Sequence, residues 1–325
     1  MNMTVLLVRI FLAVMVACCA TAASANEKWP SKPIKIIVPY APGGGADAVI
    51  RVLTDRLGER LGQPVVVENR PGASGYIGAK AVASATPDGY TLLLGFDGSL
   101  VVAPHLIKAP FDTLKDFTPI TKINDATLIL AAHPSVPAKS LRELIEFSKT
   151  QNIPLGFGSS GPGTTTHLAG ELLALQSGAR LQHVPYKGGG QAVTDVVGGQ
   201  VPLIYTVIPT ISGFTKDGRL RPLAVSSAKR TSVLPDVPTM IEAGLPGFEV
   251  SSWYGLLAPA NTPKDIVDRL QRELSAVIQL PEIRERYQKS GFEPVGNKPD
   301  EFAQQISVDS ARWGKLVKDM NLRIE

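Results

Sequence analysis

Cysteine is nearly absent from this chain. The 325 residues include 2 cysteines, Cys18 and Cys19, and both lie in an apolar stretch near the N-terminus. If that stretch is removed as an export signal, the remaining chain has no disulfide, no thiolate nucleophile and no cysteine that could bind a metal. Thiol chemistry is therefore excluded as a function of the mature protein.

The chain also has little excess of one charge over the other, and few histidines. The net charge is +4 at pH 7, and no block of lysine or arginine is long enough to follow a nucleic-acid backbone. None of the 4 histidines belongs to a metal-binding pattern such as H-E-x-x-H. We therefore expect neither a nucleic-acid partner nor a bound metal.

The N-terminus has the pattern of an export signal. Arg9 precedes an apolar run, Ile10–Ala20, that is shorter than the roughly 20 residues needed to cross a bilayer. Small residues follow and end at Ala25, as they do before a cleavage site. We expect residues 1–25 to be a cleaved signal peptide and the mature protein to begin at Asn26, in the periplasm. An uncleaved anchor or a lipoprotein is the alternative.

A short β-rich run, a glycine-rich turn and a helical pattern recur along the remaining chain. The first copy joins a strand at Ile34–Tyr40 to an amphipathic helix at Asp47–Leu61. Strands that alternate with helices predict parallel βαβ units with both faces of the sheet covered. The sequence therefore predicts an α/β fold in which each domain is a βα-wound sheet.

The pattern changes once, near the middle of the chain. Two short strands, Ile120–Ile123 and Leu128–Ala132, are predicted there, and the βα pattern then restarts. The proline-rich segment Leu234–Phe248 has the composition of a surface connection that returns to the first unit. We expect the ligand cleft to lie between the two domains. Domain 1 would comprise residues 26–125 together with 235–325, and domain 2 residues 126–234.

The first glycine-rich loop admits two interpretations. Residues 43–48 fit the G-x-G-x-x-A pattern of dinucleotide-binding folds, and Glu68 lies about where a ribose-binding acid belongs. Against this, Asp47 would place a carboxylate next to the pyrophosphate, and an exported protein meets little nicotinamide cofactor. Asp47 either satisfies backbone N–H groups at the start of the helix or contacts a ligand.

A hydrolase is the second enzymatic interpretation. Residues 158–162 approach the G-x-S-x-G nucleophile elbow, but the fifth residue is proline. Ser159 or Ser160 would be the nucleophile, and no nucleophile–base pair is recognisable in the sequence. We expect His183 to be structural, whereas His167 opens a helix after three threonines and either faces a ligand or has a capping or core role.

Loops rich in glycine and hydroxyl residues follow four of the predicted strands. They are Gly43–Asp47, Asp97–Ser99, Ser159–Thr166 and Lys187–Gly190. In open α/β sheets, ligands bind outside the carboxyl ends of the strands, and backbone N–H groups there attract small anions. The four loops together predict a cleft that encloses a small anion.

Distinctive segments extend along nearly the whole mature chain. PSKPIKIIVPYAPGGGADAVIR, HVPYKGGGQAVTDVVGGQV and WYGLLAPANTP are among them, and ENRPGA and LPDVPT are the most specific. These segments resemble the Bug, or TctC-like, family of periplasmic receptors of tripartite tricarboxylate transporters. The resemblance implies a two-domain, type II periplasmic-binding-protein fold that closes like a Venus flytrap on a small carboxylate.

The resemblance also implies where the carboxylate is held, partly through ordered water: in the first glycine loop and in two loops of the second domain. The loop after the third strand is included as well, because the carboxyl ends of the strands are expected to meet at one cleft. The expected ligand-binding residues are Pro42, Gly43, Gly44, Gly45, Ala46, Asp47, Asp97, Gly98, Ser99, Ser159, Ser160, Gly163, Thr164, Thr165, Thr166, His167, Tyr186, Lys187, Gly188, Gly189 and Asp195.

Two residues depart from the pattern of that family. Ala46 stands where the family often has serine or threonine, so one hydroxyl donor is missing. Asp97 lies in a loop that, in other members of the family, often contains threonine or asparagine. A carboxylate there either lines the cleft, where it would repel a polyanionic ligand, or caps a helix.

The sequence therefore predicts a receptor with no enzymatic activity and no cofactor. It would bind a small organic carboxylate, which could be a dicarboxylate, a tricarboxylate, an aromatic acid or an amino acid, by hinge closure. It would deliver this ligand to membrane permease subunits or to a sensor kinase, and a monomer is expected. The alternative is an exported enzyme, a hydrolase or a dinucleotide-binding protein, that uses the same glycine-rich loops.

Overall fold

The computed structural model describes residues 29–319. The expected signal peptide, residues 1–25, and the expected mature start at Asn26 lie outside the described residues, so both stay predictions. Within the described range, none of the helices combines the length and the apolar character that crossing a bilayer requires.

The strands of the described residues join in one sheet. Their bounds are β1 (Ile34–Val38), β2 (Val65–Asn69), β3 (Thr91–Phe96), β4 (Phe117–Ala132), β5 (Leu155–Ser159), β6 (Leu181–Pro185), β7 (Leu203–Val207), β8 (Arg221–Val225), β9 (Ser251–Pro259) and β10 (Phe292–Pro294). Their order along the sheet is β2-β1-β3-β9-β4-β7-β5-β6, and both β8 and β10 also pair with β4.

Helices connect most of these strands. Their bounds are α1 (Gly45–Arg51), α2 (Thr54–Leu61), α3 (Tyr76–Ala83), α4 (Leu141–Thr150), α5 (Thr165–Ser177), α6 (Gly189–Val197), α7 (Ile208–Lys216), α8 (Lys264–Ile278), α9 (Pro281–Ser290) and α10 (Pro299–Asp319). Short turns of other helical types lie at Ala73–Gly75, Gly98–Val102 and Ala103–His105. The expected α/β class is confirmed.

The long strand β4 divides the sheet into two halves. Its residues Phe117–Thr127 pair with β9, and with β1, β2, β3, β9 and β10 they form the first half-sheet. Its residues Leu128–Ala132 pair with β7 and β8, and with β5, β6, β7 and β8 they form the second half-sheet. Strand β4 therefore carries the chain from the first half-sheet to the second.

Parallel pairing occurs where the βα pattern predicts it. Strand β1 is parallel to β2 and β3, and β5 is parallel to β6 and β7. Strands β4 and β9 instead pair antiparallel with each other and with their neighbours β3 and β7. These two long strands run between the βα units, so the sheet is mixed, not purely parallel.

The prediction of two short strands at 120–123 and 128–132 is wrong. Strand β4 is continuous over 16 residues. The polar residue Asn124, which lies between the two expected strands, is fully buried and pairs with Tyr254 of β9. A register shift between Lys122 and Asn124 shows that a bulge absorbs the irregularity without ending the strand.

Three further expectations need correction. The helix expected at 47–61 is divided into α1 and α2, and helix α7 directly after β7 was not predicted. The segment 234–248 does not simply follow the surface, because Met240 and Phe248 are fully buried in the main core. The backbone N–H of Met240 also donates to the carbonyl of Val225 at 2.8 Å. Burial of its apolar residues fastens this connection to the second half-sheet.

Gly255 and Gly213 offer a test of this packing. A methyl group at Gly255 in β9 would overlap the ring of Phe302, so Gly255→Ala should lower the free energy of unfolding by about 1–3 kcal/mol. Gly213 lies inside α7 with nothing near its missing side chain, so Gly213→Ala should raise it by about 0.5–1 kcal/mol. Urea unfolding measures both values. Equal stability of the two variants would contradict the packing of β9 against α10.

Candidate functional site

A small cavity of about 20 Å³ lies between the two half-sheets. The loops after β1, β5 and β6 reach it, together with the last residue of β3 and one residue of β9. The lining residues are Tyr40, Gly44, Gly45, Ala46, Phe96, Ser160, Gly189 and Tyr254. The structure thus brings three of the four predicted loops to one point, and the fourth begins directly after Phe96.

Aromatic rings form one wall of this cavity. Tyr40 meets Phe96 edge to face with ring centroids 5.7 Å apart, and Phe96 stacks on Tyr254 at 5.0 Å. Burial raises the pKa of Tyr254 well above its ordinary value, so its hydroxyl keeps its proton and can donate a hydrogen bond. None of these three residues was among the ligand-binding residues expected from the sequence. Tyr40 could have been found, because it stands just before the first glycine loop, whereas Tyr254 arrives from a distant strand.

Two helices begin at the cavity without a side-chain cap. Helix α1 starts after Gly44 and α6 after Gly188, and neither residue has a side chain that could accept a bond. The first N–H groups of a helix have no partner within the helix, so here they can donate to an anion. Gly45 must be glycine, because a Cβ there would lie 2.6 Å from the hydroxyl oxygen of Tyr254.

The carboxylate of Asp47 holds the first loop in place. Its Oδ2 accepts from Nε of Arg51 at 2.8 Å and from the backbone N–H of Gly43 at 3.4 Å, and its Oδ1 accepts from Nδ2 of Asn69 at 3.1 Å. Burial acts to raise the pKa of Asp47, but the bonds from Arg51, Asn69 and Gly43 outweigh it and lower the pKa below its ordinary value. The geometry favours the interpretation of Asp47 as a group that satisfies backbone N–H.

Most polar groups of the loop at 159–166 bind one another. Thr164 caps α5 by accepting from the backbone N–H of His167, and Nδ1 of His167 accepts from the N–H of Gly163 at 3.0 Å. The hydroxyl of Thr166 accepts from the N–H of Ser160 at 3.1 Å. Within this loop, Ser160 is the residue that lines the cavity, while the others shape the loop around it.

A serine and a histidine do meet in this region, although the sequence showed no such pair. The hydroxyl of Ser159 lies 2.6 Å from Nε2 of His183, and His183 stacks on His167 with centroids 3.8 Å apart. Burial and the neighbouring His167 lower the pKa of His183 to about 3, which makes it a poor general base. Ser159 is fully buried and also accepts from the N–H of Gly161 at 3.1 Å. The pair therefore holds the loop, and His183 has the structural role expected of it.

Glu68, the acid that dinucleotide binding would require, forms ion pairs with other residues. Glu68 forms ion pairs with Lys35, at 2.7 Å, and with Arg70. It therefore has local cationic partners in place of a ribose. Among residues 29–319, no group of three or more histidine, cysteine, aspartate or glutamate side chains could hold a metal ion.

The predicted residues after β6 are divided between two places. Gly189 lines the cavity, whereas the hydroxyl of Tyr186 donates to Oδ2 of Asp195 at 2.7 Å. Lys187 is exposed and lines, with Tyr186 and Ser74, a wider groove of about 390 Å³ between the half-sheets.

Asp97 has two hydroxyl partners and is fully buried. Its Oδ2 accepts from the hydroxyl of Thr165 at 2.8 Å, and its Oδ1 accepts from the hydroxyl of Ser252. The side chain makes no capping bond to the helical turn at Gly98–Val102, and Ser99 donates to the carbonyl of Phe96 at 3.0 Å. No side-chain capping bond supports the capping interpretation of Asp97, and its contact with a ligand stays a prediction.

Glycines lie where the loops of the two half-sheets approach each other. A Cβ on Gly190 would lie 3.0 Å from the carbonyl carbon of Gly43 and 3.1 Å from the nitrogen of Gly44. A Cβ on Gly188 would lie 3.4 Å from the nitrogen of Ala41. The loops of the two half-sheets thus touch backbone to backbone, and the cleft is closed at this point.

Comparison with known proteins identifies a family and several relatives. A model described as the tripartite tricarboxylate transporter family receptor matches residues 49–322. The chain is 37% identical to Protein BugT of Bordetella pertussis over the full length of both chains. It is 35% identical to a UPF0065 protein from the tcbD-tcbE intergenic region of a Pseudomonas species, with 93% of this chain and 90% of that protein covered.

Several solved structures have the same fold as this chain. The periplasmic binding protein BugD has a TM-score of 0.87 and 36% identity, with 91% of this chain and 100% of that chain covered. An R. palustris protein with adipate has a TM-score of 0.87 and 34% identity, covering 90% and 98%. MatC from Rhodopseudomonas palustris with bound malate has a TM-score of 0.85 and 33% identity, covering 89% and 100%. The expected two-domain, type II periplasmic-binding-protein fold is confirmed.

The bonds of Asp47 predict a pH-dependent stability. The pKa of Asp47 is lower in the folded protein than its ordinary value of 3.8, so its carboxylate stabilises the fold above about pH 4 and this contribution is lost as the pH falls below that value. Asp47→Asn should lower the free energy of unfolding by about 1–2 kcal/mol at pH 7 and by less at pH 3. Denaturant unfolding at both pH values measures this. Asp217→Asn, at an exposed position, is the control, and a deficit of Asp47→Asn that is the same at both pH values would contradict the network.

Proposed function

The chain belongs to the tripartite tricarboxylate transporter receptor family, and we propose that it captures a small organic carboxylate by closing the cleft between its two half-sheets. Members of this family are solute-binding receptors, and the chain is a receptor, not an enzyme. The hydrolase and dinucleotide alternatives have no support from its relatives. We take the cavity between the half-sheets as the ligand site.

The chemistry of the cavity is the observation that carries the proposal. None of its eight lining residues has a charged side chain: four are glycine or alanine, whose only polar groups are backbone amides, one is Ser160, and three are aromatic. Preorganised N–H and O–H donors in a site with little water bind a carboxylate strongly without a countercharge. The aromatic wall suits the carbon chain that bears the carboxylate.

The size of the cavity supports capture by a hinge movement. A volume of about 20 Å³ admits about one water molecule. An organic carboxylate therefore requires the loops to separate before it can enter. The chain crosses between the half-sheets within β4 and again between β8 and β9. We place the hinge at these crossings, with residues 26–125 and 235–325 as one domain and 126–234 as the other.

The ligands of relatives narrow the class of carboxylate to test first. Adipate and malate, found with two structures similar to this chain, are both aliphatic dicarboxylates. Tricarboxylates, aromatic acids and amino acids remain in the proposal, because backbone donors recognise a carboxylate without sensing what it is attached to. Homologues of this chain are periplasmic solute-binding proteins, and a transporter receptor implies a membrane permease as its partner.

Export and delivery complete the proposal. A signal peptide at residues 1–25 would be cleaved to leave Asn26 as the first residue of a periplasmic protein. The closed receptor would then present the carboxylate, as a monomer, either to permease subunits or to a sensor kinase.

A thermal-shift screen tests the proposed ligand class. We expect at least one carboxylate from a panel of aliphatic dicarboxylates, tricarboxylates, aromatic acids and amino acids to raise Tm. A ligand at 100 times its Kd adds about 2.7 kcal/mol of stability, which corresponds to several degrees. Nicotinamide dinucleotides serve as controls. A rise in Tm with the dinucleotides and with none of the carboxylates would contradict the receptor proposal.

Gly190→Ala tests whether ligand binding requires the closed cleft. The added methyl group would press against the backbone of Gly43 and Gly44, which cannot move aside as a flexible side chain can. We expect the Kd for a carboxylate identified by the screen to rise at least tenfold, while stability without ligand changes little. Calorimetric titration measures the Kd, and Gly213→Ala is the control. An unchanged Kd in Gly190→Ala would show that the observed closed contact is not used in binding.

A further inference from the structure

Asp97 connects the two sides of the cleft through its carboxyl group. The residue lies at the end of β3 in the first half-sheet, and Ser252, which donates to Oδ1, belongs to β9 in the same half-sheet. Thr165, which donates to Oδ2 at 2.8 Å, is the first residue of α5 and follows β5 of the second half-sheet. One hydrogen bond thus stays within a half-sheet, and the other crosses the cleft.

The surroundings of this bond are tightly packed. Asp97, Thr165 and Ser252 are all fully buried. A Cβ on Gly98 would lie 2.8 Å from the nitrogen of Thr165 and 3.0 Å from Cα of Thr164, so the two segments are in direct contact. A hinge movement that separates the half-sheets must therefore break the bond from Thr165 and expose the carboxyl group to water.

Burial without a cation makes a charge at this position unfavourable. Burial raises the pKa of Asp97 to about 7, although the bonds from Ser252 and Thr165 act to lower it, and the charge of Asp309 on α10 raises it further. The phenols of Tyr40 and Tyr254 nearby remain neutral, because burial raises the pKa of both. On α5, the titratable groups His167 and Glu171 lie 3.4 Å from each other.

We propose that Asp97 is a positioning residue that holds the cleft closed through its hydrogen bond with Thr165. It does so best when its carboxyl group carries a proton. This inference rests on the proposed hinge closure. A neutral carboxyl group keeps both bonds, since each hydroxyl can donate or accept. Asp97 would therefore act on ligand binding through closure, without touching the ligand.

The linkage between closure and protonation has a defined sign. In the open form, a hydrated Asp97 would titrate near its ordinary value of 3.8, whereas in the closed form its pKa is about 7. Closure therefore takes up a proton between about pH 4 and pH 7, and the closed form loses stability relative to the open form as the pH rises through this range. A carboxylate ligand in the cavity beside Phe96 would make a charged Asp97 still less favourable. The receptor should capture its ligand better in mildly acidic surroundings.

Spin-label distances measured without ligand test this inference. The two cysteines of the chain lie in the expected signal peptide, so Val66→Cys on β2 and Ile153→Cys before β5, both exposed, can be labelled selectively. We expect the ratio of closed to open molecules to fall about tenfold from pH 6 to pH 8. In Asp97→Asn the ratio should not change with pH. Asp217→Asn, at an exposed position, should behave like the parent protein.

A matched pair of variants separates closure from local stability. Thr165→Val and Ser252→Ala each remove one hydroxyl from the same carboxyl group, but the bond from Thr165 is the one that crosses the cleft. Loss of a bond worth about 1 kcal/mol should lower the ratio of closed to open molecules about fivefold in Thr165→Val. The ratio in Ser252→Ala should change less. This comparison still decides the proposal if Asp97→Asn fails to fold.

The outcomes distinguish this inference from the receptor proposal. A closed fraction that does not depend on pH in the parent protein, or that depends on it equally in Asp97→Asn, overturns the role of Asp97. Equal effects of Thr165→Val and Ser252→Ala on the ratio of closed to open molecules would also overturn the role of Asp97. Failure of every carboxylate to raise Tm contradicts the receptor proposal, while the distance measurements still decide whether Asp97 controls closure.

Discussion

Close contact between glycine backbones across the cleft is the constraint on which the site depends. Gly190 lies so near Gly43 and Gly44 that a methyl group there would press on their backbone atoms. Because of this contact, loops from both half-sheets reach one small cavity. Backbone N–H groups extend little beyond the main chain, so larger side chains at these positions would keep an anion away from them. The residues that the second half-sheet contributes to the cavity are accordingly small, Ser160 and Gly189.

Polar side chains near the cleft mainly hold these backbones in position. Asp47 and Asn69 fasten the first glycine loop to β2, and Thr164 and Thr166 close the loop after β5. Each such bond adds only about 1 kcal/mol, but an unpaired buried group costs more, so the loops resist rearrangement. Donors that are already aligned lose little entropy when an anion binds. Asp97 differs from these side chains because its bond with Thr165 crosses the cleft. This bond can therefore form only when the two half-sheets are in contact.

Much of the fold and part of the site could be predicted from the sequence. Glycine-rich turns after apolar runs are local signals, so the loops that begin at Gly43, Ser159 and Lys187 are recognisable from the order of residues alone. The division of roles inside each loop was not predictable in the same way. The sequence offers Ser159, Ser160 and three threonines as equivalent hydroxyls, yet Ser160 is the one that lines the cavity. Whether a hydroxyl faces the cavity or a neighbouring backbone group depends on partners such as His183, which lie in other elements.

By itself, the sequence determined the α/β class, the βα units, the glycine loops at the strand ends and the resemblance to carboxylate receptors, because each of these depends on residues close together in the chain. The tertiary structure decided the continuity of β4, the place of Tyr254 in the cavity wall and the partners of Asp97. These features arise from pairing between residues far apart in sequence, such as Asn124 with Tyr254 and Asp97 with Ser252. Local propensity and periodicity carry no information about such pairs, because packing of the whole sheet brings them together.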